Sequence, residues 1–481
     1  MASEIRVNKI ENRSGLGTVT FADTGVDLSG IVTATTFSGS GASLTNIPDS
    51  ALSAVTASKL TGALPAISGA NLTGIAATDN VRTGIIDVAG ISTFRNTMNV
   101  GAAVTISESG IEASGIGITV ANINGGAIGG RRNIIINGAM EVAQRGTSDT
   151  STNGVGTVDR FGMIRSGVDE NPTQAQVDVA SGTTPYSLGF RKAFKVTNGN
   201  QTGGTGVVDY ISMRYKFEAQ DIANSGWNYT SATSFVTLSF WCKSSVAQNF
   251  YGYFYSHDGT AQSLAFETGS LTADTWTKVV LKIPGNSNLQ FDNNNDNGLD
   301  LYISQFWGTD RTDSGKSLNS WGAYSGTART PDFTSTWYTT DNATFELTGV
   351  QFEVGSQATA FEHRSFGEEL QLCARYFQQF EGGSNTLFAT GFTATNDFYG
   401  GGTLPMGKMR AAPTIAVDGT LSHLNYTHVA VARNVSSITN QGSGDTSFVL
   451  RLQSTSTTTD NAGAYARIVD SSTNLTFDAE L

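Results

Sequence analysis

The residues with most to offer a ligand lie in Asn249–Gly259, NFYGYFYSHDG. Side chains alternate in an extended strand, so one side of this stretch would carry three tyrosines and a histidine. These residues are Tyr251, Tyr253, Tyr255 and His257. A row of tyrosines presents flat apolar rings with hydroxyl tips, which suits sugar rings. It would equally suit a core or a subunit interface, and the sequence leaves these interpretations open.

A second group of aromatic residues lies in or beside polar, irregular stretches. Aromatic side chains in loops often mark recognition, although they can also anchor a loop to the core beneath it. The candidates for contact with a glycan are Trp307, Trp321 and Tyr324, and Trp337 and Tyr338 share the same setting.

Histidines and carboxylates give no comparable pattern for catalysis or metal binding. None of the four histidines forms an HExxH pair, and His423 and His428 would point to opposite faces of a strand. The stretch Phe291–Asp300, FDNNNDNGLD, lacks the glycine position and closing Glu of a calcium loop, which favours a plain turn. A glycosidase needs two nearby carboxylates, and the sequence cannot pair any. We expect no catalytic residue, metal or cofactor.

Composition narrows the class of protein. The chain has 481 residues, 55 glycines, only 15% charged residues and a net charge of −12. Phosphate contacts need clustered Lys and Arg, so nucleic acid is not expected as a partner. No apolar run approaches a membrane span and no secretory signal is visible, so we expect no membrane insertion and folding in a cytoplasm. Cys242 and Cys373 fall on predicted buried faces and are expected to be core thiols.

The first 130 residues contain no Trp or Tyr and consist of degenerate repeats. The phrase GIVTATTFSGSGASLTNI at Gly30–Ile47 has a shortened echo, GALPAISGANLTGI, at Gly62–Ile75. Short β-branched strands between Gly, Ser and Asn turns build solenoids or intertwined shafts. A single copy would leave long strand edges unpaired, and winding three chains together covers them. The sequence therefore predicts a homotrimeric shaft, with a flexible linker as the alternative.

The rest of the chain alternates as half-buried strands do. Ile211–Glu218, Phe235–Cys242 and Thr277–Ile283 each place apolar residues on one face, which indicates a sandwich or jelly roll. The stretch SFVLRLQ at Ser447–Gln453 shows the same alternation after residue 383. We predict a mainly β protein: a repetitive intertwined β shaft, a jelly-roll-like β-sandwich, one short helix and a smaller C-terminal β-domain.

The stretch Phe366–Phe380, FGEELQLCARYFQQF, predicts the helix. Its apolar residues step by 4-3-4-3, the spacing of a coiled-coil seam, and glutamates occupy its first turn. The predicted seam residues are Phe366, Leu370, Cys373, Phe377 and Phe380. Either the seam packs against a neighbouring β-domain, or three copies meet on a symmetry axis.

Five phrases resemble bacteriophage tail-fibre proteins. NIIINGAMEVAQRG and TVDRFGM resemble the start of the head region in that family, and QFEVGSQATAFEHRSFGEELQLCARYFQQF is similar to its end. MGKMRAAPTIAV and the terminal LTFDAEL extend the likeness, and the early repeats resemble shafts of fibres from phages of marine cyanobacteria. The phrases occupy Asn133–Gly146, Thr157–Met163, Gln351–Phe380, Met406–Val417 and Leu475–Leu481.

This resemblance implies a virion component of the phage tail. Its N-terminus would attach to the tail or baseplate, and its β-domains would bind host surface polysaccharide without turnover. Each contact with glycan would be weak, but binding would be strengthened by avidity, because a fibre carries three copies and a particle carries several fibres. Two alternatives stay open: a polysaccharide-degrading, tailspike-like enzyme, and a purely architectural tail protein without receptor binding. The implied segments are attachment at 1–30, shaft at 31–130, a joint at 131–145, a sandwich head at 146–365, the helix at 366–382 and a β-domain at 383–481.

Overall fold

The computed structural model describes most of the chain after residue 130 and short stretches before it. The described residues are 9–11, 18–23, 25–33, 35–36, 38, 45–46, 48, 98–100, 104–107, 110–113, 131–380, 383, 385–425, 433–454, 462–469 and 471–481. The chain divides into two compact units, Met1–Ile111 and Glu112–Leu481.

Most of the described residues before 131 belong to short strands. Their bounds are Lys9–Glu11 (β1), Thr18–Ala22 (β2), Gly25–Ser29 (β3), Met98–Val100 (β4), Val104–Ser107 (β5) and Gly110–Ala113 (β6). They form two three-stranded sheets, ordered β1-β2-β3 and β4-β5-β6. Most of the predicted shaft lies outside the described residues, including all of the phrase at Gly62–Ile75 and half of the phrase at Gly30–Ile47.

The predicted sandwich consists of two six-stranded antiparallel sheets. Its strands are Ser148–Asp149 (β7), Phe161–Ser166 (β8), Thr173–Asp178 (β9), Lys192–Thr197 (β10), Tyr210–Glu218 (β11), Phe235–Ser244 (β12), Asn249–Ser256 (β13), Gln262–Ser270 (β14), Thr277–Pro284 (β15), Asn297–Trp307 (β16), Trp321–Ala323 (β17) and Thr344–Val354 (β18). Sheet A has the order β15-β12-β18-β10-β9-β7, and sheet B has the order β17-β14-β13-β16-β11-β8. The mainly β prediction is therefore confirmed.

One large core fills the space between the sheets. Leu238 and Phe240 from sheet A meet Met213, Phe254 and Ile303 from sheet B, and all five are buried. The alternation predicted for β11, β12 and β15 is the alternation observed, because each strand turns its apolar residues inward. Sheet B thus has its other face free to carry a separate set of side chains.

Helices are short among the described residues. They are Thr184–Ser187 (α1), Ala219–Ala223 (α2), Thr336–Thr339 (α3) and Phe366–Cys373 (α4), with a 3₁₀ turn at Thr309–Arg311. No helix in the described ranges combines the length and the apolar character that crossing a membrane requires.

The helix predicted over 366–382 is wrong in its second half. A capping box of Ser365 and Glu368 starts α4, but the helix ends at Cys373 and a turn leads into a strand, Phe377–Phe380 (β19). This strand pairs with Leu475–Asp478, about a hundred positions later, and aromatic residues such as its two phenylalanines favour strands once a partner strand is present. Local spacing could not reveal that long-range pairing.

The five seam residues consequently go to different places. Leu370 and Cys373 pack against Ile136 and Val142, which lie in the segment predicted as a joint. The others are Phe366, which is 59% exposed, Phe377, which is buried, and Phe380, which packs against the C-terminal domain. They do not form one continuous seam.

The C-terminal β-domain is a closed six-stranded barrel with a three-stranded sheet beside it. Its further strands are Leu387–Ala394 (β20), Asp397–Thr403 (β21), Thr414–Asp418 (β22), Leu421–Asn425 (β23), Arg433–Ser443 (β24), Ser447–Ser454 (β25), Ala462–Ile468 (β26) and Asn474–Asp478 (β27). The barrel order is β20-β21-β25-β24-β23-β26, and the small sheet is β19-β27-β22. Phe448, Leu450 and Leu452 point into its core, as their alternation predicts.

The segment predicted as a joint, 131–145, is built into the head. Ile135 and Met140 belong to the sandwich core. The Asn133 side chain donates to the Val350 carbonyl at 3.1 Å and accepts from the Phe352 backbone N–H at 3.0 Å. These bonds fasten the segment to β18, so it is a structural part of the sandwich.

Charged groups hold the end of the chain against the sandwich. The Arg160 guanidinium, which is buried, pairs with the Glu480 carboxylate and lies 3.4 Å from the centroid of the Tyr376 ring. Arg145 pairs with Asp478 at 3.0 Å. Burial of charge at this point is balanced by opposite charge, as such sites require.

The phrases that resemble tail-fibre proteins meet at this place. Arg410, in MGKMRAAPTIAV, donates its backbone N–H to the Arg375 carbonyl at 2.7 Å and its Nε to the Ala479 carbonyl at 2.9 Å. Gln144, from the first phrase, donates to Asp159 in the second and to Phe377 in the third. We call the residues of these five phrases the junction, since they join the sandwich to the barrel.

Candidate functional site

The tyrosine row of β13 lies on the outer face of sheet B. Phe250 and Phe254 point into the sandwich core, whereas Tyr253 and Tyr255 belong to a separate cluster on the other side of the sheet. Tyr251 shares their face and contacts Phe333 with ring centroids 5.2 Å apart. The predicted alternation is therefore observed, and it produces an aromatic surface outside the core.

Rings from four elements line up across this face. The set, called the aromatic strip from here on, consists of Tyr210, Trp307, Tyr302, Tyr253, Tyr255 and Tyr324. Neighbouring strands supply most of it, because Tyr253 is directly opposite Tyr302 and Tyr210 is directly opposite Trp307. Cross-strand pairing thus fixes the order of the rings.

Stacking defines the geometry of the strip. Tyr253 and Tyr302 stack with centroids 4.4 Å apart and planes 6° apart, and Tyr210 stacks on Trp307 at 4.4 Å. Tyr253 and Trp307 make an edge contact at 6.2 Å that links the two pairs. Such offset and edge contacts are the favoured arrangements of aromatic rings.

Only the ends of the strip reach solvent. Tyr253 is 1% exposed and Trp307 is 2% exposed, because the segment 308–334 lies against them. Tyr210, Tyr255 and Tyr324 are partly exposed. The buried rings are thus a platform, and the surface offered to a ligand is at the two ends.

One exposed end carries a polar set around Tyr255. The Tyr255 ring lies 4.1 Å from Tyr324 and 4.3 Å from His257, measured between centroids. His257 Nε2 approaches an Asp300 carboxylate oxygen at 3.2 Å. Asp300 is only 2% exposed, so the groups that face solvent here are the rings and the His257 imidazole. Flat rings beside an imidazole can stack on a sugar ring and exchange hydrogen bonds with its hydroxyl groups.

Asp300 is ionised in this setting. Burial by itself would raise its pKa, but hydrogen bonds from His257, Asn297 and Tyr302 hold the pKa below its ordinary value. The Tyr302 hydroxyl donates to Asp300 at 2.8 Å, and so does the Asn297 side-chain amide. An ionised carboxylate accepts hydrogen bonds, so the buried Asp300 can hold the His257 imidazole in place beside the Tyr255 ring.

Trp321 is apart from the strip. Its indole N–H donates to the Pro284 carbonyl at 2.8 Å, and its ring lies on the core side of sheet B near Phe254. With Gln262 and Gln290 it lines a separate polar groove of about 480 Å³. Of the predicted glycan residues, the structure therefore brings together Tyr253, Tyr255, His257, Trp307 and Tyr324, and leaves Tyr251 and Trp321 at other positions.

Several members of the site were not predicted from the sequence. Asp300 and Tyr302 alternate with the buried Leu299 and Leu301 in β16. The same alternation rule therefore predicts that Asp300 and Tyr302 lie on the outer face. Tyr210 begins β11 and could have been found in the same way.

Metal ligation finds no support in the described ranges, which contain no group of three or more His, Cys, Asp or Glu placed around a common point. Cys242 and Cys373 are both buried and unpaired with each other. Burial raises the pKa of the Cys242 thiol to about 12, which keeps it protonated.

Comparisons with known proteins give distant likenesses. No protein-family model and no curated protein matches the sequence. The enzymatically active domain of tailspike protein 4 from bacteriophage CBA120 is similar over 46% of this chain at 10% identity, with a TM-score of 0.24, and 21% of that chain is covered. A family 11 carbohydrate-binding module from Clostridium thermocellum, in complex with a β-1,3-1,4-mixed-linked tetrasaccharide, is similar over 45% of this chain and 98% of its own, at 12% identity and a TM-score of 0.20.

A tandem domain, CBM22-1–CBM22-2 of Paenibacillus barcinonensis Xyn10C, is similar over 75% of this chain and 98% of its own, at 10% identity and a TM-score of 0.22. TM-scores this low do not establish a shared fold. The function of this chain therefore has to be inferred from its own residues.

Proposed function

We propose that this chain is a structural component of a phage tail, a trimeric tail fibre or tail-tip protein. In this proposal the N-terminal segment attaches to the baseplate, the repeats form the shaft, and the head binds host surface glycan without cleaving it. The protein resides in the virion and is assembled in the host cytoplasm.

The exposed end of the aromatic strip carries the binding part of the proposal. Tyr255 and Tyr324 present partly exposed rings next to His257, whose imidazole is paired with the buried Asp300 carboxylate. Stacking faces combined with fixed polar groups are what sugar recognition requires. The buried Tyr253–Tyr302 stack beneath them holds the surface rigid, which lowers the entropy lost on binding.

The junction supports the phage-tail part of the proposal. The phrases that resemble tail-fibre proteins are far apart in sequence but contact one another where the sandwich meets the barrel. Sequence likeness in this family would then reflect a common framework, with recognition residues on a different surface. Loops and faces held by such a framework commonly carry binding function.

Incubation of the purified full-length chain with envelope polysaccharides from marine cyanobacteria tests the proposal. We expect retention of polysaccharide without new reducing ends. Release of new reducing ends would contradict binding without turnover and favour the tailspike-like enzyme. Absence of binding to every polysaccharide, together with loss of tail assembly when the chain is missing, would favour the purely architectural role.

A further inference from the structure

Two arginines lie side by side over the far end of the aromatic strip. Arg311 is the last residue of the 3₁₀ turn after β16, near the start of the segment 308–334. Arg329 lies near the end of the same segment. The Arg329 backbone N–H donates to the Arg311 carbonyl at 3.0 Å, and Thr312 forms a parallel bridge with Thr330. This pairing places the two side chains next to each other on the outer face of sheet B.

Both guanidinium groups lie near the Trp307 ring. Arg329 Cζ is 4.6 Å from the Trp307 ring centroid. Arg311 Cζ is 5.8 Å from that centroid and 5.1 Å from the centroid of Tyr210. Cation–π attraction of this kind positions a guanidinium but leaves its N–H donors free for other partners.

Neither guanidinium has a hydrogen bond or an ion pair with any residue that the structure describes. Each Nε is buried without a partner. By contrast, Arg165 and Arg375 in the same unit are hydrogen-bonded through their guanidinium groups, Arg375 through two bonds to Glu218. The chain has a net charge of −12, yet no carboxylate among the described residues forms an ion pair with either arginine.

An anion would complete the arrangement. Adjacent like charges repel each other, which favours a negatively charged ligand over the two groups. Such a ligand would bind the terminal nitrogens, because these reach solvent whereas each Nε is buried. A guanidinium fork fits carboxylate and sulfate oxygens by two parallel hydrogen bonds. Tyr210 stacks on Trp307 and lies beside Arg311, and the part of its ring that stays exposed borders the place where the anionic group would sit.

We propose that Arg311 and Arg329 select an acidic polysaccharide, whose carboxylate or sulfate group they bind while its sugar ring rests against Tyr210. This inference rests on the proposed function and adds the class of ligand to it. The alternative is that both arginines only cover the Trp307 ring.

Polygalacturonate and its carboxyl-reduced derivative are matched probes, because the two polymers differ only in the charged group. We expect the full-length chain to bind polygalacturonate at least about tenfold more tightly than the reduced polymer, since charge-assisted hydrogen bonds are the stronger kind. The double variant Arg311→Gln/Arg329→Gln should lose this preference. The single variant Arg329→Lys, which keeps the charge but not the fork, should retain part of it.

Lys278→Gln/Lys282→Gln is the control, because it removes the same charge from β15 of sheet A, on the opposite side of the sandwich. Its preference for polygalacturonate should equal that of the wild type, and near-ultraviolet circular dichroism should show native packing in every variant. Equal binding of both polymers by the wild type would overturn the anion inference while leaving glycan binding intact. Preference retained in the arginine double variant would also overturn it, and binding to no polysaccharide at all would overturn the proposed function itself.

Discussion

Tyr255 and Tyr324 lie with their ring centroids 4.1 Å apart, although one belongs to the central part of sheet B and the other to the long segment after β16. This contact ties the segment to the tyrosine row and leaves both rings partly exposed. The proposed sugar-binding surface therefore depends on a strand for its position and on a loop for its second ring.

Gly252 lets the tyrosine strand sit close to its neighbours. A Cβ at this position would come within 2.3 Å of the Phe266 ring and 2.4 Å of the Tyr302 carbonyl. We expect Gly252→Ala to lower the free energy of unfolding by about 1–3 kcal/mol, through overpacking beneath the Tyr253–Tyr302 stack. Urea denaturation measures this change. Gly322→Ala is the control, since a Cβ there meets no atom within 4 Å; equal losses in the two variants would contradict the close-packing argument.

The pair of Arg160 and Glu480 is expected to hold the C-terminal strand in place. Glu480→Gln would leave the buried guanidinium without its carboxylate, and removing one partner of a buried pair costs about 3–5 kcal/mol. The free energy of unfolding should fall by that order. Lys408→Gln breaks the more exposed pair with Asp445 and should change it by no more than about 1 kcal/mol. A Glu480→Gln variant as stable as the wild type would contradict the role of the pair.

The buried Asp159 should give the free energy of unfolding an unusual dependence on pH. Burial raises its pKa to about 6, against the opposing attraction of Arg145 and a hydrogen bond from Gln144, while the charge on Glu480 raises it further. Because the folded protein holds this proton more tightly than the unfolded chain, the contribution of Asp159 is largest below its ordinary pKa and is lost as the pH rises through 6. Asp159→Asn removes the titration.

The test of this prediction compares two unfolding curves. The free energy of unfolding of Asp159→Asn minus that of the wild type should rise by up to about 3 kcal/mol between pH 4 and pH 7. The subtraction removes the contributions of the other carboxylates. A difference that stays constant across this range would show that Asp159 titrates normally.

The mass in solution tests the trimeric shaft. The aromatic-poor first quarter has too few large apolar residues to form its own core, so three chains are expected to share one. Sedimentation equilibrium of the full-length chain should give about three times 50.6 kDa. A stable monomer of 50.6 kDa would contradict the shaft.

Strand alternation made much of the sandwich predictable. Val236, Leu238 and Phe240 were assigned to one buried face from sequence, and the structure places all three in the core. The same rule applied to the other half of β16 would have predicted Tyr302 and Asp300 on the outer face, next to the tyrosine row. Period-two patterns are reliable because each strand has only two faces.

Long-range contacts were not predictable. The stretch Phe377–Phe380 satisfies a helical spacing, and only its pairing with Asn474–Asp478 makes it a strand. Trp321 and Tyr324 are three residues apart, yet one covers the edge of the core and the other joins the strip. The path of a long segment over a sheet depends on tertiary contacts, which local sequence does not encode.

Binding of envelope polysaccharide by the variant Tyr255→Ala/Tyr324→Ala tests the central claim most directly. A matched control is Phe392→Ala/Tyr399→Ala, which removes another stacked pair, with centroids 5.7 Å apart, from the C-terminal barrel. We predict that the strip variant binds at least about tenfold more weakly than the wild type, as loss of aromatic anchors does, while the barrel variant keeps the wild-type affinity. Unchanged affinity in the strip variant, or a loss confined to the barrel variant, would contradict the assignment of this surface.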